Sequence, residues 1–399
     1  MLEITNIRQG AILNHNHGRE EADGLTVKFE GISDYPGPVT LNGQPTFRDG
    51  RLFSAEVKLT EKINTVTAAC ETAFGDFVQS IKVVWDKKSF KRTNCYIDDH
   101  SFFWTDLVRE SPKRAFDHFY LKNLKEIHER CGFKATLNCF YHNDHFDCNI
   151  SEVPDTWKQE FIDNSDWLKL SFHSKGEFPD RLYIETPYEE FARDYDMTRD
   201  EIVRFAGEET FIAPVVIHWA MISPGCVRAL QERGVKAYAT AFRPRLMGGP
   251  SATARAAGNS QNQMAAFTEK ASYNALQKFA GDFAIDEHYS NIEENSYLSN
   301  HRSFYNPRFD ITFFRGGCCC NLLTKEVIKE RLQGILDSSA AVGSEFFNFG
   351  SHEQYSFPYY HNYIPDHDER IGVAAQYMAD AGCEFVFFSE GFMGNKAWD

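Results

Sequence analysis

Cys95-Tyr-Ile-Asp-Asp-His100 continues a short apolar strand pattern that begins at Asn94 and stops at two adjacent carboxylates, Asp98 and Asp99. Carboxylates at the end of a buried strand are costly to desolvate unless they bind a cation or move protons. A single Asp–Asp pair also caps turns and helices, so the pair alone decides little. The same ending recurs in Leu168-Lys-Leu-Ser-Phe-His173, in Pro214-Val-Val-Ile-His218, in Phe346-Phe-Asn-Phe-Gly-Ser-His352-Glu353 and in the strand pattern before Glu390. Parallel α/β folds gather chemistry at the C-terminal ends of their strands, and this repetition points to such a fold.

Working outward from Asn94, strand patterns at 94–98, 133–138, 168–172, 213–217, 235–240, 309–314, 345–350 and 384–389 alternate with helical ones. Ser111-Pro112 reads as a helix start, with Phe116, Leu124 and Ile127 on one face and Gly132 as the stop. Thr186-Pro187-Tyr188-Glu189 reads as a capping box, Ser223-Pro224 as a further start ending at Gly234, and Asp380-Ala381-Gly382 as the last stop. The alternation predicts a (β/α) barrel of seven or eight strands, regular or distorted, over residues 89–399. The stretch 243–307 is too long for an ordinary connection and reads as an insertion carrying a helix at about 261–280, either a lid or a decoration.

Residues 1–88 read differently. Leu25-Thr-Val-Lys-Phe29 alternates, Val39-Thr-Leu41 runs into the turn signal Asn42-Gly43, and 53–59, 64–69 and 78–85 follow at short intervals. This predicts a small immunoglobulin-like β-sandwich without catalytic residues, joined through the polar run Asp86-Lys-Lys-Ser89.

A chain of 399 residues exceeds one ordinary core and suits two domains. Its net charge of −15 argues against a nucleic-acid or anionic-membrane partner. No apolar run reaches the ~20 residues that span a bilayer, and no signal peptide is visible in MLEITNIRQG, although a secreted chain trimmed of its leader would read the same. The ten cysteines include no C-x-x-C pair, which suits free thiols in a reducing compartment and gives a cytoplasmic expectation. Thirty-five Phe, 17 Tyr and 6 Trp suit both a large core and sugar-stacking surfaces.

The strand-end rule picks Asp98 and Asp99, then Asn138 and His142, then His173, His218, His352, Glu353 and Glu390. Together they supply acid, base and metal-ligand chemistry in one mouth.

Tyr96-Ile-Asp98-Asp99 with Gly132-Phe-Lys-Ala-Thr136 resembles the opening motif of the polysaccharide deacetylase family, and Ser171-Phe-His173-Ser174-Lys-Gly-Glu177 resembles its second motif. The resemblance covers roughly 94–240 and the late strand at His352. It implies a distorted (β/α) barrel and a metal-dependent hydrolase that removes an acyl group from an N-acylated sugar or oligosaccharide. By position, Asp98 would be the general base and His352 the general acid. Asp99, His173 and Glu177 would hold a divalent ion, zinc or manganese, with Glu177 standing where the family has histidine. Ile217-His218-Trp219 departs from the third motif. His218 would touch substrate, or complete the metal shell in place of Glu177. Trp219, Glu353 and Tyr355 are further candidates for substrate contact.

Two other functions fit the same residues. A glycoside hydrolase would pair Asp98 or Asp99 with Glu353 or Glu390. A catalytically silent carbohydrate-binding protein would explain the altered motifs. The expected partner in every case is a carbohydrate. No G-x-S-x-G elbow occurs, which disfavours a serine hydrolase.

Overall fold

The computed structural model describes residues 1–73, 75–179, 182–220, 222–240, 297 and 301–399. Ten strands occupy the first 85 residues. One sheet runs β1 (Leu2–Ile4), β4 (Gly24–Ser33), β8 (Leu52–Leu59), β7 (Phe47–Asp49), with β3 (Arg19–Glu21) on β4. The other runs β2 (Ile12–Leu13), β10 (Gly75–Trp85), β9 (Ile63–Thr72), β5 (Val39–Leu41), β6 (Gln44–Pro45). The alternation seen in the sequence places Leu25, Val27 and Phe29 from the first sheet and Val66, Ala68 and Cys70 from the second in one shared core.

The chain then enters a parallel sheet. β11 (Arg92–His100) pairs on one side with β12 (Ala135–Phe140), which pairs with β15 (Leu168–Ser174). On its other side β11 pairs with β20 (Phe346–His352), which pairs with β19 (Cys318–Cys319). β21 (Glu384–Phe385) joins the start of β11. A separate sheet holds β16 (Ala237–Thr240), β18 (Ile311–Arg315) and β17 (Ser303–Asn306). A two-stranded ribbon, β13 (His142–Asn143) with β14 (Cys148–Asn149), follows β12.

This corrects the expected closed barrel. Among the described residues, strand pairing leaves two separate sheets, with β17 antiparallel to β18. The stave expected at 213–217 offers only single contacts, such as Ile212 N–H to Leu170 O at 2.9 Å and Ala239 N–H to Val215 O. Pro214 has no N–H to give to a ladder there. The last stave, expected over 384–389, pairs over two residues. Alternating strands and helices specify parallel pairing but not ring closure, which depends on stagger and tilt along every stave.

The helices begin with α1 (Phe102–Glu110), which the sequence reading missed, and α2 (Phe119–Cys131). Ser111 closes α1 in the left-handed region at φ 45° rather than opening a helix, and Gly132 closes α2 at φ 71°. α3 (Lys158–Asp163) and α4 (Tyr188–Ala206) follow. No capping box forms at Thr186: its hydroxyl donates to Leu182 O, and Pro187 is the N-cap of α4. α5 (Pro224–Glu232) starts as expected, with Ser223 Oγ accepting from Cys226 N–H. α6 (Lys325–Ala340) and α7 (His367–Asp380) complete the set among the described residues. The helix expected at 261–280, and most of the insertion at 243–307, lie outside the described residues. Among the described residues no helix is long and apolar enough to cross a membrane.

The two sheet systems interlock. Tyr305 N–H donates to Gly10 O, Asn14 Nδ2 to Gly343 O and Trp398 Nε1 to Trp85 O. At the joint, Arg92 and Asp86 form an ion pair at 3.0 Å with both side chains fully buried.

Candidate functional site

Strands β11, β12, β15 and β20 end side by side, and their last residues build the site. β11 slips register against β12 between Ile97 and His100, and Asp99 sits there at φ 65°. A regular strand would send Asp98 and Asp99 to opposite faces; the irregularity lets both carboxylates serve one side. Asp tolerates a left-handed backbone better than most residues, and such conformations gather at functional sites.

Asp99 Oδ1 stands 3.3 Å from His173 Nε2 and 3.2 Å from His218 Nδ1. The two imidazole nitrogens are 3.3 Å apart. One ligand atom from each of these three residues lies within 4.8 Å of the others. His173 Nδ1 donates to Val216 O at 3.4 Å, which leaves Nε2 as the lone-pair nitrogen aimed at Asp99. Phe140 backs both rings, with centroids 5.4 Å and 5.0 Å away. Asp99 Oδ1 is sealed from solvent with no well-formed hydrogen bond of its own, and His218 Nε2 is likewise buried without one. Burial works to raise the Asp99 carboxyl, but His352, His173 and His218 outweigh it and hold it well below the usual range. A carboxylate and two imidazoles converging on one point, with an orphaned carboxylate oxygen, fit a divalent cation such as zinc.

Asp98 lies beside this triad. Asn138 Nδ2 donates to its Oδ1 at 2.7 Å, and burial raises its carboxyl. Across the strand pair, Asp98 is in register with His352. Burial works against the His352 imidazolium, yet Cys319, Asp99 and Asp98 overcome it and hold the group up to about 10. His352 Nδ1 donates to Asn321 Oδ1 at 3.0 Å and lies 3.7 Å from Cys319 Sγ. That leaves Nε2 as the nitrogen without a hydrogen bond among the described residues.

Three sequence expectations need correction. Glu177, expected as a metal ligand, is instead held by His145 Nε2 at 2.6 Å and Gln354 Nε2 at 3.0 Å. No helical turn carries it back toward His173: the chain after β15 runs as a loop, pinned where Asp144 Oδ2 accepts the N–H groups of Glu177 and Phe178. His218, not Glu177, stands with Asp99 and His173 in the cluster. Glu353, expected at substrate, has no exposed surface. Its carboxylate accepts the N–H groups of Ser101, Phe102 and Phe103 at 2.7–2.8 Å, closing the N-terminus of α1. Glu390 pairs with Lys396 at 2.7 Å beside Phe387 and Val386, among residues next to the other end of the parallel sheet.

Trp219 is half-buried with its ring 5.9 Å from His218, at φ 67°. The Tyr355 ring lies 6.3 Å from His352. His142 Nδ1 contacts Asn149 in the ribbon. Sequence reasoning missed Cys319, Asn321, His145 and Gln354. Cys319 and Asn321 carried a signal: they too follow a short apolar strand pattern, at 309–314.

No family model matches the chain, and no curated protein does. Two solved structures show a slight likeness, both of Bacteroides fragilis proteins provisionally described as alpha-galactosidases, the second as an alpha-galactosidase/melibiase. The first is 11% identical, with a TM-score of 0.28 over 95% of this chain and 78% of its own. The second is 12% identical, with a TM-score of 0.15 over 55% of this chain and 53% of its own. Likenesses this slight carry no argument, so the functional reading rests on the site itself.

Proposed function

We propose that the chain is a metal-dependent hydrolase acting on a carbohydrate, and that it removes an acyl group from an N-acylated sugar. The observation that carries this reading is the meeting of Asp99, His173 and His218, with Asp98 and His352 flanking them in register. A zinc or manganese ion held by the three residues would supply Lewis-acid polarisation of an acyl carbonyl. Asp98, oriented by Asn138, is the group placed to take a proton from the attacking water. His352 is the group placed to give a proton from Nε2 to the leaving nitrogen, because Nδ1 is engaged by Asn321. Largely buried, these charges act on one another more strongly than they would at a surface.

Glycoside hydrolysis is the second reading. The burial that raises Asp98 also suits a general acid for a glycosidic oxygen. Its partner carboxylate would be Glu177, whose Oε1 takes no hydrogen bond among the described residues, whereas both Glu353 oxygens close the N-terminus of α1 and Glu390 pairs with Lys396.

Acetate release from N-acetylated sugars, run beside nitrophenol release from aryl glycosides, separates the two. Chelator-sensitive acetate release supports deacylation. Chelator-insensitive glycoside cleavage that survives His218→Ala replaces it with the second reading.

A further inference from the structure

The loop after β15 reaches the same mouth without joining the triad. Its carboxylate, Glu177, is fixed on one oxygen only. Oε2 accepts from both His145 and Gln354, while Oε1 takes no hydrogen bond among the described residues. Three segments meet to hold it: the loop itself, the ribbon residue His145, and Gln354, which directly follows His352-Glu353 and is buried. Gly176 lets the loop approach this closely, since a Cβ there would stand 2.7 Å from Asp144 Oδ2.

A run of rings links this carboxylate to the acid. His352 lies 6.3 Å from Tyr355, Tyr355 5.6 Å from Tyr360, Tyr360 5.9 Å from His145, and His145 6.2 Å from Phe178. Phe178 is 55% exposed, so one ring of this run is open to a ligand. A staple that merely tied loops together would need neither an open carboxylate oxygen nor an exposed ring beside it.

We propose that Glu177, set in this aromatic run and flanked by Phe178, forms a subsite that binds the hydroxyl groups of a neutral pyranose next to the hydrolysed bond. An apolar ring face with one fixed acceptor at its edge matches a sugar, which has an apolar C–H face and hydroxyl donors at its rim. The hydrogen bond that His145 donates to Glu177 favours the charged form of His145, so the pair balances its own charge and suits a neutral donor better than an ammonium. This subsite rests on the reading that the mouth takes carbohydrate, but its test is binding rather than turnover.

The full chain is screened against an array of neutral oligosaccharides, and the best ligand is then titrated by calorimetry into wild type, Glu177→Ala, Glu177→Gln and Phe178→Ala. Thermal melting checks that each variant folds. The expected result is a loss of affinity of tenfold or more for Glu177→Ala, several-fold for Phe178→Ala, and partial recovery in Glu177→Gln, which keeps a neutral acceptor. No binding to any glycan, or unchanged affinity in folded Glu177 and Phe178 variants, overturns the subsite. Binding that depends on Glu177 in a chain that releases no acyl group keeps the subsite and refutes the hydrolase reading. Acyl release with Glu177-independent binding does the reverse.

Discussion

Asp98 and His352 are register partners on the neighbouring parallel strands β11 and β20. Each side chain has its own polar support, Asn138 for Asp98 and Asn321 for His352. The asymmetry matters, because a base and an acid must hold opposite protonation states at the same pH. Burial alone would drive both groups neutral. The neighbouring carboxylates and Cys319 keep the imidazole protonated instead.

Asp98→Asn keeps the hydrogen-bonding shape but removes the proposed base. Turnover should fall by at least ~100-fold, the usual scale for a positioned proton acceptor. Metal content should stay at the wild-type value, because Asp99, His173 and His218 are untouched. Parallel rate and metal assays check this. Loss of metal in Asp98→Asn would mean that base and ligand are assigned the wrong way round.

Asn321 accepts from His352, Ser351 and Cys319 at once, at 3.0–3.2 Å. Asn321→Ala should lower kcat by roughly tenfold to a hundredfold with little change in KM, a common scale for a lost orienting partner. An acceptor stabilises the imidazolium, so its loss should move the alkaline limb of the pH–rate profile to lower pH. Asn321→Asp keeps the acceptor and should retain most of the rate, with the limb moved up. A purely structural Asn321 would leave both limbs in place.

The Asp86–Arg92 pair is fully buried, and Arg92 also donates to Met393 O at 2.7 Å. Asp86 in turn accepts from Ser89 and Asn395. Removing one partner strands a buried charge, so Asp86→Ala should cost about 3–5 kcal/mol in denaturant unfolding. Cutting the chain after residue 88 removes Asp86 in the same way, so the remainder should melt well below the full chain. Equal melting of the truncated and full chains would contradict this.

Much of this was legible in the residues, for reasons that also explain the gaps. β11, β12, β15 and β20 announce themselves by apolar runs that end on Asp98, Asn138, His173 and His352. Burial on both faces leaves no other composition for such strands. Whether the sheet closes was not legible, because ring closure has no local signature. The proposed cation triad was half legible. Asp99 and His173 follow strand ends, but preferring Glu177 over His218 assumed a helix after Ser174 where the chain runs as a loop. Glu353 misled because a carboxylate that closes a helix N-terminus from 250 residues away looks, in sequence, like one that faces substrate.

His367 sits buried between Ser351 Oγ and Ser356 Oγ, each at 2.6 Å, and burial lowers its imidazolium to about 3. Its folded pKa therefore lies below its unfolded value near 6.5, and between the two the unfolded chain binds more protons. Stability from this group is full above about pH 6.5 and is lost as pH falls toward 3, at up to ~1.4 kcal/mol per pH unit. Urea unfolding across that range should show the decline, and His367→Gln should flatten it. An equally steep decline in the variant would place the acid sensitivity elsewhere.

The central claim is that Asp99, His173 and His218 hold one divalent cation. Its most direct test is calorimetric titration of zinc into chelator-stripped protein, for wild type, Asp99→Asn, His173→Ala, His218→Ala and Glu177→Ala. The account predicts one ion per chain in wild type and in Glu177→Ala, with affinity weakened at least a hundredfold in the other three. Wild type that takes up no ion, or a His218→Ala chain that binds as tightly as wild type, would contradict it.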